Sequence, residues 1–421
     1  MKLVLRSWLS TPLWQRIMAA LVLGALVGWL AGPQIESIRW MGDLFVRMIR
    51  MLVAPLVFVT LVAGITAMKE PTRIASIGGR AFGLYIVTTL GAIVIGLVLA
   101  GLLGPGRGVT LSEGGNAVEL AEPVPLVERL LAIVPNNVFA AFAEGDILAL
   151  IFFGVLLGVG VLLAGERGRP IGRLFESGAD VMLKVTGVVM ELAPFGVFAL
   201  VAWVVGVQGA GAFINIFLLA AIVYGGGALQ MLIVHAGLVR ALGKMRIGDF
   251  FAAIRTPQVL AFSTSSSAAT LPATLTAAET NLKIRPPVAS SVIPLGATVN
   301  MDGTALYVAA VAVFAAQAFG VPLSLGDYAL IALTTTFVSI GTASVPSASL
   351  FLMATVLDVV GLSGAQIALV IGLILPFDRL LDMWRTVVNV TGDLAVARVV
   401  AATVEELETV EEASPVASRA I

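Results

Sequence analysis

The chain of 421 residues contains no cysteine and a single histidine, His235. Without thiols there is no disulfide scaffold and no thiolate metal cluster, and one imidazole leaves little room for Ser-His or Cys-His chemistry. Charge is scarce too: Asp, Glu, Lys and Arg make up 12 % of the residues, about half the share of an ordinary soluble domain. The 25 basic and 26 acidic side chains leave a net charge of -1, so no basic field attracts nucleic acid, and none is expected as a partner. Any chemistry must rest on Asp, Arg, Asn, Ser and Thr.

What the chain has in excess is apolar sequence, at 59 % hydrophobic residues and a mean hydropathy of +1.02. A spanning helix takes roughly 20 apolar residues, which allows about eight spans with connections. The expected class is an all-α polytopic membrane protein with the lipid bilayer as its surroundings. Lys2, Arg6 and Arg16 precede the first apolar stretch, which is expected to be an uncleaved helix. Further full spans are expected over residues 51–68, 81–103, 147–164, 181–207 and 212–239. The basic loops (Lys69, Arg73, Arg80; Arg167, Arg169, Arg173; Arg240, Lys244, Arg246) against the acidic connection 104–145 put both termini in the cytoplasm of a cell inner or plasma membrane. The acidic run 405–412 is expected to be a solvated or frayed end.

After Gly248 the pattern changes. Residues 250–278 are apolar on both sides of the polar tip Ser263-Thr264-Ser265-Ser266-Ser267, and each arm is about half the length of a span. Residues 328–357 repeat the layout around a tip running from Ser339 to Ser347. Each pair precedes a full apolar helix, 286–318 and 363–400. Short interrupted segments at matching positions of two halves point to a transporter site near the midplane, because non-helical backbone survives at membrane depth only where it lines a cavity or is buried in protein. The plainer alternative is ordinary helices carrying Ser and Gly at packing interfaces.

Between Arg285 and Asp327 the one charge is Asp302, within Asn300-Met301-Asp302-Gly303-Thr304. A lone intramembrane carboxylate costs at least about 2.5 kcal/mol and marks a pathway or a partner. If this stretch unwinds, Asn300 and Asp302 supply side-chain and carbonyl oxygens together, which suits a hard monovalent cation. On the last helix Asp378, Asp382, Arg385, Asn389 and Asp393 are spaced 4, 3, 4 and 4 apart. At about 100° per residue they share roughly 80° of arc, with Thr386 at the edge. Such a stripe cannot face lipid. Its three carboxylates against Arg385 give a reason for cation coupling: cations offset Asp393 and Asp302, and Arg385 stays free to take an anionic group through its fork. The alternative is a self-neutralising structural network.

At these residues the sequence resembles the dicarboxylate/amino acid:cation symporter family, which includes archaeal aspartate and animal glutamate transporters. The resemblance covers nearly the whole chain. Its specific part is Ser265-Ser266-Ser267-Ala268-Ala269-Thr270-Leu271-Pro272, Asn300-Met301-Asp302-Gly303-Thr304, Ser339-Ile340-Gly341-Thr342-Ala343, and the run from Asp382 to Asp393. It implies a homotrimer of eight transmembrane helices plus two re-entrant helical hairpins with inverted repeats, working as an elevator without enzyme activity. Residues 1–76 would be the first two helices (scaffold), 77–145 the third helix (transport domain) and the extracellular loop, and 146–207 the fourth and fifth helices (scaffold). Residues 208–246 would be the sixth helix (transport domain), 247–284 hairpin one, 285–320 the seventh helix, 325–362 hairpin two, 363–402 the eighth helix, and 403–421 a cytoplasmic tail.

The resemblance further implies that Arg385 holds the side-chain carboxylate of L-aspartate or L-glutamate with Thr304. Asp382 and Thr386 would hold the amino group, Asn389 and the Ser267 backbone the α-carboxylate beside Ser265 and Ser266, and the second hairpin near Val345 would close as a gate. There is no cofactor; sodium is the coupling ion. One sodium site maps onto Gly296, Asn300, Asn389 and Asp393, a second onto the backbone of Thr298, Ser339, Ile340 and Thr342, and a third onto Tyr85, Thr88, Thr89, Asn300 and Asp302. Asp393 bears on sodium against proton coupling, since proton-coupled relatives can carry an amide there.

Three departures stand out. Ser344, Ser347 and Ser349 occupy tip positions where relatives usually have Gly, which stiffens the gate. Neither Ser265, where archaeal members place an Arg, nor Met383, where animal members do, is basic, so Arg385 is expected to lack a companion. Val308 replaces a carboxylate tied to potassium and proton counter-transport, and neither is expected. Competing expectations are proton coupling on the same fold, or a neutral amino acid or C4-dicarboxylate as substrate, although Asp382 would then sit unpaired beside an anion lacking the amino group. An intramembrane aspartyl protease using Asp302 with Asp382 lacks that family's Gly-x-Gly-Asp arrangement, and a passive channel sits poorly with two closing hairpins. Arg379 is expected to pair with its neighbour Asp378, and His235 to be a packing residue.

Overall fold

The computed structural model describes residues 11, 13–66, 74–109, 131, 134–208, 211–341 and 348–413, and among these it holds seventeen α-helices and no strand. Helix α1 (Leu13–Ala31) leads through a 3-10 turn (Gly32–Ile38) into α2 (Arg39–Thr66), which begins well before the expected start of that span. Then come α3 (Ile74–Leu103), the short α4 (Val138–Glu144), α5 (Ile147–Leu163), α6 (Arg169–Met190) and α7 (Ala193–Trp203). The expected single span 181–207 is instead a pair, α6 and α7, bent by 49°. Pro194 in the first turn of α7 accounts for the break, since proline is tolerated there and not in a helix interior.

Small residues set the first contact layer. α1 crosses α7 so closely that a Cβ at Gly28 would lie 2.8 Å from the Ala202 Cα, the short approach that Gly permits between helices where no hydrophobic drive exists in lipid. α2 packs on α5, α6 and α7.

Helix α8 (Gly211–Leu229) continues through a π-helical turn, Gln230–His235, into α9 (Ala236–Ala241). α10 (Ile247–Ala253) follows, then a helix-turn-helix of α11 (Arg255–Thr264) and α12 (Ser267–Thr276), each of 10 residues. At 1.5 Å per residue each is about 15 Å long, half a bilayer core. Ser265 at the turn is left-handed (φ 51°), and Ser266 caps α12 by accepting from the Ala269 N–H at 3.2 Å. α13 (Pro286–Val299) and α14 (Asp302–Ala318) are two halves of one apolar run, and α14 is the most enclosed element of the protein. A second helix pair, α15 (Leu325–Gly341) and α16 (Ala348–Val359), packs against α14; the tip between them, with Thr342, Ser344, Val345 and Ser347, lies outside the described residues. The last helix, α17 (Gly364–Ala413), runs the full 50 residues, so the expected acidic end 405–412 is helical backbone.

Among the described residues five helices are long and apolar enough to cross a membrane, or six if α6 and α7 count as one span. Two of the expected spans, at residues 51–68 and 147–164, hold apolar stretches of only Ala54–Thr66 and Ala149–Leu163.

Candidate functional site

The Asn300-Met301 step is the break between α13 and α14. Both residues leave helical geometry (Asn300 φ -95°, ψ 87°; Met301 φ -112°, ψ 52°). The break is buried, and its polar groups are met by α3 and α17. The Asn300 side-chain amide donates to the Asp393 Oδ1 at 3.0 Å, and the Asn389 Oδ1 accepts the Gly303 N–H at 2.8 Å. On the other side the Thr89 hydroxyl donates to the Asp302 Oδ1 at 2.8 Å, and the Thr88 hydroxyl lies 3.3 Å from the Asn300 Oδ1. Tyr85 donates to the Val292 carbonyl at 3.0 Å. Gly296 is dictated by this crowding: a Cβ there would run into the Asp393 carboxylate and the Tyr85 hydroxyl.

Gly296, Asn300, Asn389 and Asp393 therefore form one cluster, and Thr88, Thr89 and Asp302 a second that shares Asn300 with it; the Tyr85 hydroxyl, expected with the second, lies at Gly296 in the first. Among the described residues no Lys or Arg pairs with Asp302 or Asp393, and no group of three His, Cys, Asp or Glu exists that would hold a transition metal. Two buried carboxylates among amide, hydroxyl and carbonyl oxygens make a donor set for hard cations. The remaining expected cation residues, Thr298, Ser339 and Ile340, lie on α13 and α15, which are in contact. The Thr298 and Ser339 hydroxyls bond their own helices, at 2.9 Å to the Leu295 carbonyl and 2.9 Å to the Thr336 carbonyl. Their partner Thr342 is outside the described residues.

Two members of the site were not anticipated. His235, expected to be a packing residue, has its Nε2 2.8 Å from the Asp302 Oδ2, and Gln230 donates to the same oxygen at 3.1 Å; His235, Gln230 and Asp302 are all fully buried. The π turn is what brings them together. Its i→i+5 closure puts residues five apart on one side, and the Gln230 Nε2 and His235 Nε2 lie 3.3 Å from each other.

On the other face of the break sits Arg385, fully buried, its guanidinium 4.0 Å above the Tyr307 ring. It is not free as expected: its Nη2 donates to Asp382 at 2.8 Å and to Asp378 at 3.0 Å, and Tyr307 also donates to Asp378. Its Nη1 and Nε have no hydrogen-bond partner among the described residues, so both carboxylates fall on Nη2 and the donors on either side of it are unused. A Cβ on Gly303 would lie 2.7 Å from the Arg385 Cα, so glycine lets α14 and α17 meet here. Thr304, Thr386 and Asn389 are buried on these two helices, although the Thr386 hydroxyl is spent on the Asp382 carbonyl at 2.8 Å. At the hairpin tip Ser265, Ser266 and Ser267 are buried; the Ser266 hydroxyl is used in capping, and the Ser265 hydroxyl has no partner among the described residues. Val345 lies outside the described residues.

Arg379 does not pair with Asp378. Adjacent helical residues do not face each other, whereas i and i+3 do. Its Nη1 stands 4.0 Å from Asp382, and its Nη2 donates to the Thr264 carbonyl at 3.5 Å. The stripe is therefore segregated. Asp378 and Asp382 balance Arg379 and Arg385 at one end, while Asp393 joins Asp302 at the other.

The sequence profile of the sodium:dicarboxylate symporter family matches residues 13–403. The chain is 35 % identical over 396 residues to a proton/sodium-glutamate symport protein of Bacillus subtilis, covering 91 % of this chain and 90 % of that one. It is 33 % identical to a protein of the same description from Geobacillus stearothermophilus, over 90 % of this chain and 91 % of the relative. A C4-dicarboxylate transport protein of Mesorhizobium japonicum is 30 % identical over 99 % of this chain and 94 % of its own length. With its broken buried helix, its two helix pairs and a match across almost the whole sequence, this chain belongs to the sodium:dicarboxylate symporter family, a family of membrane transporters.

Proposed function

We propose that the protein is a secondary active symporter that takes up L-aspartate or L-glutamate together with sodium ions. The observation that carries this reading is Arg385: a fully buried guanidinium held through Nη2 by two carboxylates next to the α13–α14 break, with its Nε and Nη1 donors unpartnered among the described residues. Buried donors without a partner are costly, so the unused Nε and Nη1 are places where an anionic group gains charge-assisted hydrogen bonds. Arg385 with Thr304 takes the distal carboxylate, Asp382 and Thr386 the amino group, and Asn389 with the first-turn amides of α12 near Ser267 the α-carboxylate. Sodium ions offset Asp393 and Asp302, and a further ion uses carbonyls of Thr298, Ser339, Ile340 and Thr342.

In this reading eight helices span the membrane and the two helix pairs are re-entrant. The chain assembles as a homotrimer with both termini in the cytoplasm. Residues 1–76 and 146–207 form a scaffold past which the remaining helices, with both hairpins, carry the site as an elevator. The test is uptake of radiolabelled L-aspartate by the purified full chain in liposomes. Accumulation that requires an inward sodium gradient supports the proposal; accumulation driven by a proton gradient in the absence of sodium overturns the coupling ion, and no uptake of aspartate or glutamate under either gradient overturns the substrate. A second reading, proton coupling or a C4-dicarboxylate substrate on the same fold, is favoured by what the relatives are named for: proton/sodium-glutamate symport for two and C4-dicarboxylate transport for the third. The same assay with succinate distinguishes it.

A further inference from the structure

Arg379 has no role in the binding scheme proposed above, and its surroundings do not explain it as a close structural ion pair. It is 8 % exposed, yet its contacts are loose: 3.5 Å to the Thr264 carbonyl at the tip of the first helix pair, and 4.0 Å to the Asp382 Oδ2. Its Nε has no hydrogen-bond partner among the described residues. A guanidinium taken out of water normally satisfies its donors well. The contact of Arg379 at the tip is with Thr264, the residue before Ser265, whose hydroxyl also has no partner among the described residues.

The charges give the reason. Asp378, Asp382 and Arg385 alone carry a net -1, which repels an anionic ligand. Arg379 brings that cluster to neutrality. Asp382 stands one step of three residues from each arginine, so it lies between two guanidinium groups on one stripe. When an acidic ligand takes the unused donors of Arg385, Asp382 keeps a counter-charge in Arg379.

We propose that Arg379 is a specificity-determining residue of the substrate site: it supplies the second positive charge that selects ligands with a distal carboxylate, from a position on α17 that faces the tip of the first helix pair. It rests on the proposed acidic substrate and adds to it the reason for discrimination against uncharged side chains.

The test is calorimetric binding to the full chain in detergent with sodium, using L-aspartate, L-glutamate and succinate as acidic probes and L-asparagine as the probe lacking the distal charge. R379Q lowers affinity for the acidic probes on the order of 10- to 100-fold and leaves that for asparagine within about twofold. R379K restores most of the loss, and thermal melting reports whether each variant folds. A merely structural arginine would weaken all probes together, so an unchanged ratio of aspartate to asparagine affinity overturns the role of Arg379 and leaves the acidic-substrate reading standing. If the unaltered protein binds succinate and neither amino acid, the amino-acid reading fails while Arg379 is judged by the loss on succinate alone. If it binds no acidic probe, both fail.

Discussion

The His235 imidazole and the Asp302 carboxylate meet at 2.8 Å with neither exposed to solvent. Asp302 thus divides its oxygens. Oδ2 is held by His235 and Gln230, and Oδ1 faces Thr88 and Thr89 at the candidate cation cluster. Replacing His235 with Ala removes one of the two groups that fix Oδ2. Leaving a buried polar group short of its partner costs about 1–3 kcal/mol. H235A is expected to melt several degrees lower in sodium-free buffer and to bind sodium more weakly; equal melting and equal sodium affinity would contradict the contact.

Gly296→Ala tests the packing around Asp393. The added methyl collides with the Asp393 carboxylate and the Tyr85 hydroxyl, neither of which is the free end of a flexible chain. Overpacking of this kind costs about 1–3 kcal/mol. Loss of sodium-dependent stabilisation in a melting assay, with the helical circular dichroism signal retained, is the expected outcome.

Asp393→Asn keeps the shape and removes the charge. The Asn300 amide that now donates to Asp393 at 3.0 Å can still find an oxygen, so folding should survive. One negative charge fewer beside the break should lower the sodium dependence of aspartate affinity by about one ion in a plot of log affinity against log sodium. An unchanged slope would remove Asp393 from the cation sites.

Arg385→Gln leaves Asp378 and Asp382 buried beside each other without their shared guanidinium. Losing one partner of a buried charge pair costs about 2–5 kcal/mol, or at least about 30-fold in affinity for an acidic ligand. Unchanged aspartate binding would refute the substrate assignment.

Ser265→Gly relieves the one left-handed residue of the first tip (φ 51°). Glycine adopts that conformation without the Cβ penalty of about 1 kcal/mol. The variant is expected to melt at or above the temperature of the unaltered chain; a clear destabilisation would mean that the buried hydroxyl matters more than the backbone.

Composition and local pattern were enough for much of this protein. Scarce charge and abundant apolar residues dictate helices, because only helices or closed barrels satisfy every backbone group in hydrocarbon. The spacing of Asp378, Asp382, Arg385, Asn389 and Asp393 puts them on one stripe because the helical period is intrinsic to the chain. For Asn300-Met301-Asp302-Gly303 the sequence left unwinding as a condition of cation binding, and the chain does leave helical geometry at Asn300 and Met301. Arg379 was within reach of the sequence as well, since the i,i+3 rule favours Asp382 over Asp378. Only tertiary structure decided which side of Asp302 faces which partner. Gln230 and His235 reach it through a π turn, whose closure no 3.6-residue period reveals, and they come from an element some seventy residues away in sequence. Tertiary structure also settled that Arg385 is held through Nη2 alone, with Nε and Nη1 unpartnered among the described residues, because what reaches those donors depends on how α14 and α17 approach across Gly303 and not on the order of residues along either helix.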